Sequence, residues 1–428
     1  MMATPESRET SRVVRVPGDK SISHRSLICA ALASGRSRIR NILRSADVES
    51  TAGVLRALGA IIPTLAADVR VDGCGLRNFI APGASLDCGN SGTTARLMAG
   101  VLSAHPFASR LEGDESLSRR PMGRVARPLE AMGARFAFER GQHLPLTITG
   151  GTLQPLSWDS PTASAQVKSA ILLAGLVGGV RVTVTEPVRS RDHTERMLAA
   201  LGVEVRSCGR ESALEPTHEL PPFQVDVPAD PSSAAFLAAL AAAGGVPGSG
   251  SIELTDVALN PTRLGFFRVL RDMGAEITWE VEREECGEPV GTLRVKSAAM
   301  RAATVGGDLV PAMIDELPML ACLATRADGE TVITGARELR VKESDRIASV
   351  VANLRAVGAD ADELPDGLRV RGTAAPLRGT AAAHGDHRLA MAFGVLGALP
   401  GNAIVVDDPA CVSVSYPAFW NDLERLTT

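Results

Sequence analysis

Lys342-Glu343-Ser344-Asp345-Arg346 sets acids between an ammonium and a guanidinium, and Asp315-Glu316 sets two more where the apolar stretch Leu317–Leu323 begins. A carboxylate beside cations is what proton transfer on an anionic substrate requires. The same residues also suit helix N-caps, so these segments alone leave both readings open. Basic and hydroxyl side chains gather at other predicted helix starts. In Pro17-Gly18-Asp19-Lys20-Ser21-Ile22-Ser23-His24-Arg25-Ser26, Gly18 allows a tight turn, Ser21 or Ser23 supplies a cap, and Leu27–Leu32 carries the helix on to Ser34-Gly35. Such a terminus fits phosphate or carboxylate.

Five further segments follow this pattern. Asn90-Ser91-Gly92-Thr93-Thr94-Ala95-Arg96 is a turn in which Gly92 lets an anion approach backbone N–H groups. Arg119-Arg120 precedes Pro121, and paired guanidiniums suit bidentate binding of carboxylate or phosphate. Ser164-Ala165-Gln166-Val167-Lys168 opens an apolar helix with a hydroxyl, an amide and an ammonium, and Arg191-Asp192-His193 opens another. Arg191 is the ligand candidate there, while a lone His193 is read as structural. Asp386-His387-Arg388 adds a last guanidinium.

The elements that must position these residues repeat. Leu55–Ala60, Leu129–Ala134, Leu198–Val203, Leu270–Ala275 and Leu354–Ala359 share a Leu-x-x-(Leu/Met/Val)-Gly-(Ala/Val) pattern, beginning 74, 69, 72 and 84 residues apart. Each reads as the last turn of an amphipathic helix, a glycine after it, then a strand. Leu423-Glu-Arg-Leu is a degenerate sixth copy. Small-residue helices starting near Ser21, Ser91, Ser164, Asp230, Asp315 and Asp386 interleave with them, and strand-like runs such as Leu144–Thr149, Arg181–Thr185 and Thr331–Thr334 fill the intervals. The expectation is six mixed α/β units of about 70 residues in two closed domains, since this period exceeds that of the common solenoids. Chain crossings are expected near Val16-Pro17 and Val227-Pro228.

At 428 residues two domains are expected, with a core of Ala, Leu and Val because aromatic residues make up only 3%. A net charge of −4 offers no global attraction to nucleic acid, so anionic ligands must be held by local basic residues. Seven scattered cysteines without a Cys-x-x-Cys pair indicate neither a disulfide framework nor a zinc cage, which fits a cytoplasmic setting. A polar beginning and the lack of an 18-residue apolar run argue against export and membrane spanning.

Taken together, the Pro17–Arg25, Gly89–Thr93, Arg119–Met122, Ser164–Lys168, Arg191–Glu195, Leu339–Arg346 and Gly385–Met391 segments resemble the 5-enolpyruvylshikimate-3-phosphate synthases among the enolpyruvyl transferases, over essentially the whole chain. The resemblance implies a two-domain α/β fold of six βαβαββ repeats, three per domain, with helix N-termini facing an interdomain cleft. One domain would comprise residues 1–16 plus 229–428 and the other the inserted residues 17–228. It implies transfer of the enolpyruvyl group of phosphoenolpyruvate to the 5-hydroxyl of shikimate-3-phosphate, releasing phosphate, in chorismate and aromatic amino-acid biosynthesis. No metal or organic cofactor is expected, and the protein is expected to be a cytoplasmic monomer without nucleic-acid or membrane partners.

By the same resemblance Lys20, Ser21, Arg25, Ser164, Ala165, Gln166, Arg191, Asp315 and Lys342 are the shikimate-3-phosphate contacts. Lys20, Gly92, Arg120, Gln166, Arg346 and Arg388 are the phosphoenolpyruvate contacts. Asp315 would take the proton of the 5-hydroxyl, and Glu343 with Lys20 would move protons at the methylene carbon, helped by His387. Val414 stands where many relatives carry a lysine that contacts phosphoenolpyruvate. Gly92 is the residue of members sensitive to the inhibitor glyphosate, although the Ser164–Lys168 and Arg191–Glu195 segments resemble the branch in which tolerance is frequent. Two alternatives are a UDP-N-acetylglucosamine enolpyruvyl transferase, which should show a reactive cysteine absent between Glu112 and Arg127, and a non-catalytic anion-binding protein on the same fold.

Overall fold

The computed structural model describes residues 12–248 and 250–428. The first eleven residues of the expected 1–16 segment, including the polar beginning, lie outside the described residues. The repeats expected from the glycine spacing are present as one recurring unit. Strands Leu86–Asp87 and Ala108–Glu112 are parallel and joined by the helix Gly92–Ser103; the helix Gly123–Ala131 then leads to the hairpin Arg135–Arg140/His143–Thr149, whose second strand inserts beside Ala108–Glu112. The same strand order, first-second-fourth-third, recurs in the sheets that begin at Leu156 and Thr304.

Two units are completed by strands from far along the chain. Arg12–Val14 pairs in parallel with Ser251–Ala258, and Gln224–Asp226 pairs in parallel with Arg36–Arg40. Parallel strands need a crossover. Here the crossover is shared, because the chain leaves one sheet after Val14 and returns to it after Asp226. The sixth sheet is reduced to Arg378–Ala381 with Ala403–Val406.

All five repeated motifs end helices in the same way. Gly59, Gly133, Gly202, Gly274 and Gly358 have φ between 86° and 114°. The N–H of the next residue donates back to the carbonyl of the leucine that opens the motif, as from Ala60 to Leu55 and from Ala359 to Leu354. That six-to-one bond is the Schellman ending, which demands a residue free to adopt positive φ. The degenerate copy near the C-terminus lies in the helix Phe419–Thr427.

The inner helix of each unit is almost wholly buried, and Pro231–Ala242 exposes no residue. Small side chains permit the close packing: a Cβ on Gly100 would lie 2.1 Å from the Ala170 carbonyl oxygen of the neighbouring helix Ala165–Gly178. Buried apolar side chains form two clusters. One joins Val14 and Val16 to residues from Ala229 to Leu426, and the other runs from Ile22 to Val227 and includes Ala258.

Candidate active site

The inner helices start where the two clusters meet, and their caps decide which polar groups remain for other work. Asp19, not Ser21 or Ser23, caps the Lys20–Leu32 helix, accepting the Ile22 N–H at 2.7 Å. Ser23 is turned inward instead and accepts the Leu43 N–H. Ser91, Ser164, Asp230 and Asp386 cap as expected. Asp345 caps the helix Arg346–Ala356, which leaves Glu343 uncommitted, and the helix Leu317–Ala324 starts without a side-chain cap, which leaves Asp315 uncommitted. The two carboxylates therefore do not act as caps.

A cavity of about 510 Å³ lies between these helix starts. The substrate-contact and catalytic candidates all line it: Lys20, Ser21, Arg25, Gly92, Arg120, Ser164, Ala165, Gln166, Arg191, Asp315, Lys342, Glu343, Arg346 and Arg388. His387 does too. Val414, half-buried at the end of the short helix Pro409–Val414, is not in the lining. Two expected cations face elsewhere. Arg119 is exposed and pairs with Glu115, while Lys168 is buried behind the cavity wall between Glu186 and Glu195.

The acids sit inside a cationic frame. Asp315 Oδ1 lies 3.2 Å from Lys342 Nζ and 3.3 Å from Arg346 Nη1, and its Oδ2 lies 2.9 Å from Arg191 Nη2. Burial alone would raise the Asp315 carboxyl, but Lys342, Arg191, Arg388 and Arg346 outweigh it and hold the group well below the usual range. Glu343 accepts from Arg346 Nη2 at 2.7 Å and lies 3.7 Å from Arg120 Nη1. Burial raises it too, and Arg346, Arg120 and Lys20 more than reverse that. Arg346, itself buried, is anchored to Asp386 through Nε at 2.8 Å and Nη2 at 3.1 Å. His387 is pushed well below its ordinary value by burial and then by Lys20 and Arg388, so its ring is neutral at neutral pH.

Residues that sequence reasoning did not single out complete the lining. Asp47 holds Lys20 Nζ at 3.1 Å, Arg124 pairs with Glu338 at 2.8 Å, and Arg263 bridges Asp19 and Asp230 at 3.0 Å each. Arg96 donates to Gln166 Oε1 at 2.9 Å, and burial and then Arg124 and Arg120 pull it down to about 9. Arg96 had a signal, since it stands four residues after Gly92 in the same helix, one turn on, whereas Arg124 follows Arg120 across a bend. Asp47, Arg263 and Glu338 had none. His193 also reaches the cavity wall, but its Nδ1 is held by Glu288 at 2.7 Å, as suits a structural histidine.

The lining carries eleven Lys and Arg side chains against five Asp and Glu, in a chain whose net charge is −4. Several of its buried donors have no hydrogen-bond partner, among them Arg120 Nε, Arg191 Nε and Arg388 Nη1. A buried donor left unsatisfied costs about 1–3 kcal/mol, which ligand oxygens would relieve. The cavity is thus built for a polyanion, with two ionised acids available for proton transfer.

Residues 5–423 match the family model for EPSP synthase (3-phosphoshikimate 1-carboxyvinyltransferase). A 3-phosphoshikimate 1-carboxyvinyltransferase of Bacillus licheniformis is 46% identical over 418 residues, 96% of each chain. One from a Sulfurihydrogenibium species is 47% identical over 419 residues, 97% of this chain and 96% of the relative. The solved EPSP synthase of Acinetobacter baumannii superposes with a TM-score of 0.85 at 39% identity, covering 99% of this chain and 97% of its own. Fold, cavity chemistry and relatives agree, and the chain belongs to the EPSP synthase (3-phosphoshikimate 1-carboxyvinyltransferase) family.

Proposed function

We propose that the cavity holds shikimate-3-phosphate and phosphoenolpyruvate together and transfers the enolpyruvyl group to the 5-hydroxyl, as the family's enzymes do in aromatic biosynthesis. The observation that carries this reading is the charge balance. Each substrate has a carboxylate and a phosphate, together about six negative charges near neutral pH, and the lining has a surplus of six positive ones.

In this reading Lys20, Ser21, Arg25, Ser164, Ala165, Gln166, Arg191, Asp315 and Lys342 contact shikimate-3-phosphate. Lys20, Gly92, Arg120, Gln166, Arg346 and Arg388 contact phosphoenolpyruvate. Phosphoenolpyruvate oxygens would draw Arg120 and Arg346 away from Glu343, which relieves the field that keeps that carboxyl ionised and lets it carry a proton. Glu343, with Lys20, then protonates the methylene carbon of phosphoenolpyruvate, positive charge develops at the adjacent carbon, and the 5-hydroxyl attacks there while Asp315 takes its proton. Glu343 afterwards removes a proton from the new methyl group as the tetrahedral adduct expels phosphate. Each acid–base step contributes about 10²–10⁴-fold, and the arginines neutralise the leaving group.

The two core clusters support domains of 1–16 plus 229–428 and 17–228, hinged at the two crossings. A cytoplasmic monomer is part of the proposal; no helix among the described residues is long and apolar enough to cross a membrane. Phosphate release from phosphoenolpyruvate by the purified protein tests the reading, run with shikimate-3-phosphate, with UDP-N-acetylglucosamine and without acceptor. Release only with shikimate-3-phosphate is expected. Release only with the UDP-sugar would assign the sister reaction, and silence in all three would leave a binding protein.

A further inference from the structure

Lys168, expected at the cleft, is instead the centre of a buried ionic cluster directly behind it. Lys168, Glu186 and Glu195 are each at most 4% exposed. Lys168 Nζ lies 2.8 Å from Glu186 Oε2 and 2.9 Å from Glu195 Oε1. Burial pulls the ammonium down, but Glu195 and Glu186 outweigh it and hold it charged above its ordinary range. Glu186 in turn reaches two lining segments. Its Oε1 accepts the Ser164 N–H at 2.9 Å, and its Oε2 accepts the Ser190 hydroxyl at 2.9 Å and the Ser190 N–H at 3.3 Å. Ser164 precedes Ala165 and Gln166, and Ser190 precedes Arg191.

Arg25 is tied into the neighbouring positions, donating to Thr194 Oγ1 at 2.7 Å and to Ser169 Oγ at 2.8 Å. Glu195 makes no hydrogen bond to the lining: besides Lys168 it accepts the Ser212 hydroxyl, away from the cavity, and it reaches Arg25 only through its charge. One carboxylate thus fastens two of the chain segments that present the proposed shikimate-3-phosphate contacts, and one ammonium fixes that carboxylate.

We infer that Lys168, acting through Glu186, is a positioning residue for the acceptor subsite, setting the spacing between the Ser164–Gln166 turn and Arg191. The inference rests on the assignment of shikimate-3-phosphate to those residues. With Lys168 removed, two buried carboxylates face each other unpaired, and Glu186 no longer holds a single orientation. Of the phosphoenolpyruvate contacts, Gln166, shared by both substrates, lies on the turn that Glu186 holds, whereas Arg120, Arg346 and Arg388 have no bond to the cluster.

The test is the KM for each substrate in Glu186→Gln, Lys168→Met and Glu195→Gln. Glu186→Gln keeps the side-chain shape, so it decides the matter even if Lys168→Met does not fold. Loss of these charge-assisted bonds is expected to raise the shikimate-3-phosphate KM about tenfold in Glu186→Gln and Lys168→Met, with a clearly smaller rise in the phosphoenolpyruvate KM, carried by Gln166 alone. Glu195→Gln, which removes only a charge near Arg25 and no bond to the two segments, should lower the melting temperature and raise the shikimate-3-phosphate KM far less than Glu186→Gln does. A folded Glu186→Gln with parental KM for shikimate-3-phosphate overturns the inference, as does an equal rise in Glu195→Gln or in both substrates' KM. Failure of the proposed function is distinguishable, because the parental protein would then not turn over shikimate-3-phosphate at all, whereas failure of the inference leaves parental turnover intact.

Discussion

Arg191 Nη2 stands 2.9 Å from Asp315 Oδ2, so a guanidinium of the segment 17–228 meets a carboxylate of the segment 229–428 across the cavity. Arg124 with Glu338 and Arg120 with Glu343 span it in the same way. The acids proposed for proton transfer are therefore paired with the cations proposed to bind substrate. In the proposed reaction, substrate anions would compete for these cations, which would couple binding to the protonation of the acids.

Asp315→Asn is expected to lower kcat by about 10²–10⁴-fold, the scale of a lost general base, while the fold is retained. Shikimate-3-phosphate should bind as tightly as before or more so, because Lys342, Arg191 and Arg346 lose a competing anion. Initial rates and calorimetric titration check this; near-parental turnover would remove Asp315 from the chemistry.

Glu343→Gln should abolish turnover likewise, and it also reports on the proton. At pH 8, where phosphoenolpyruvate is fully ionised, its binding to the shikimate-3-phosphate complex should take up protons as Arg120 and Arg346 turn from Glu343 to the ligand. Calorimetry in buffers of different ionisation enthalpy measures the uptake. Its persistence in Glu343→Gln would show that another group is the carrier.

Both carboxyls are depressed in the folded protein. Their stabilisation is therefore complete above the unfolded-state values of about 4 and is lost as pH falls through the folded ones. The Asp315→Asn/Glu343→Gln double variant should melt below the parent at pH 7, with a gap that narrows steadily as pH falls from 5 towards 3. Thermal scans across that range test it, and a constant gap would contradict the assignment.

A Cβ on Gly92 would lie 2.4 Å from Arg96 Nη1 and 3.5 Å from Arg120 Nη1. Arg96 cannot retreat freely, since the same nitrogen donates to Gln166 Oε1. Gly92→Ala should raise the phosphoenolpyruvate KM about tenfold, as the loss of one charged contact would, and the shikimate-3-phosphate KM much less. Inhibition by glyphosate should weaken in parallel if that compound takes the phosphoenolpyruvate position. Steady-state kinetics of the variant decide both points.

Local pattern was enough to mark the helix endings and starts, because a Schellman turn needs glycine at one position and an inner helix needs an unbroken run of small apolar side chains. The residues at those starts then named the cavity lining from Lys20 to Arg388. Tertiary structure decided the rest. Asp19 took the cap expected of Ser21 because Arg263, from the other cluster, holds its second oxygen. Lys168 turned inward because Glu186 and Glu195, brought beside it by the fold, match its charge where water cannot. Asp47, Arg263 and Glu338 entered the site through pairings between segments far apart in the chain, as did the remote strands that complete two of the units. A sequence pattern records what a residue does within its own helix or strand. Which charge stands opposite it is set only when separate helices converge on one low-dielectric cavity.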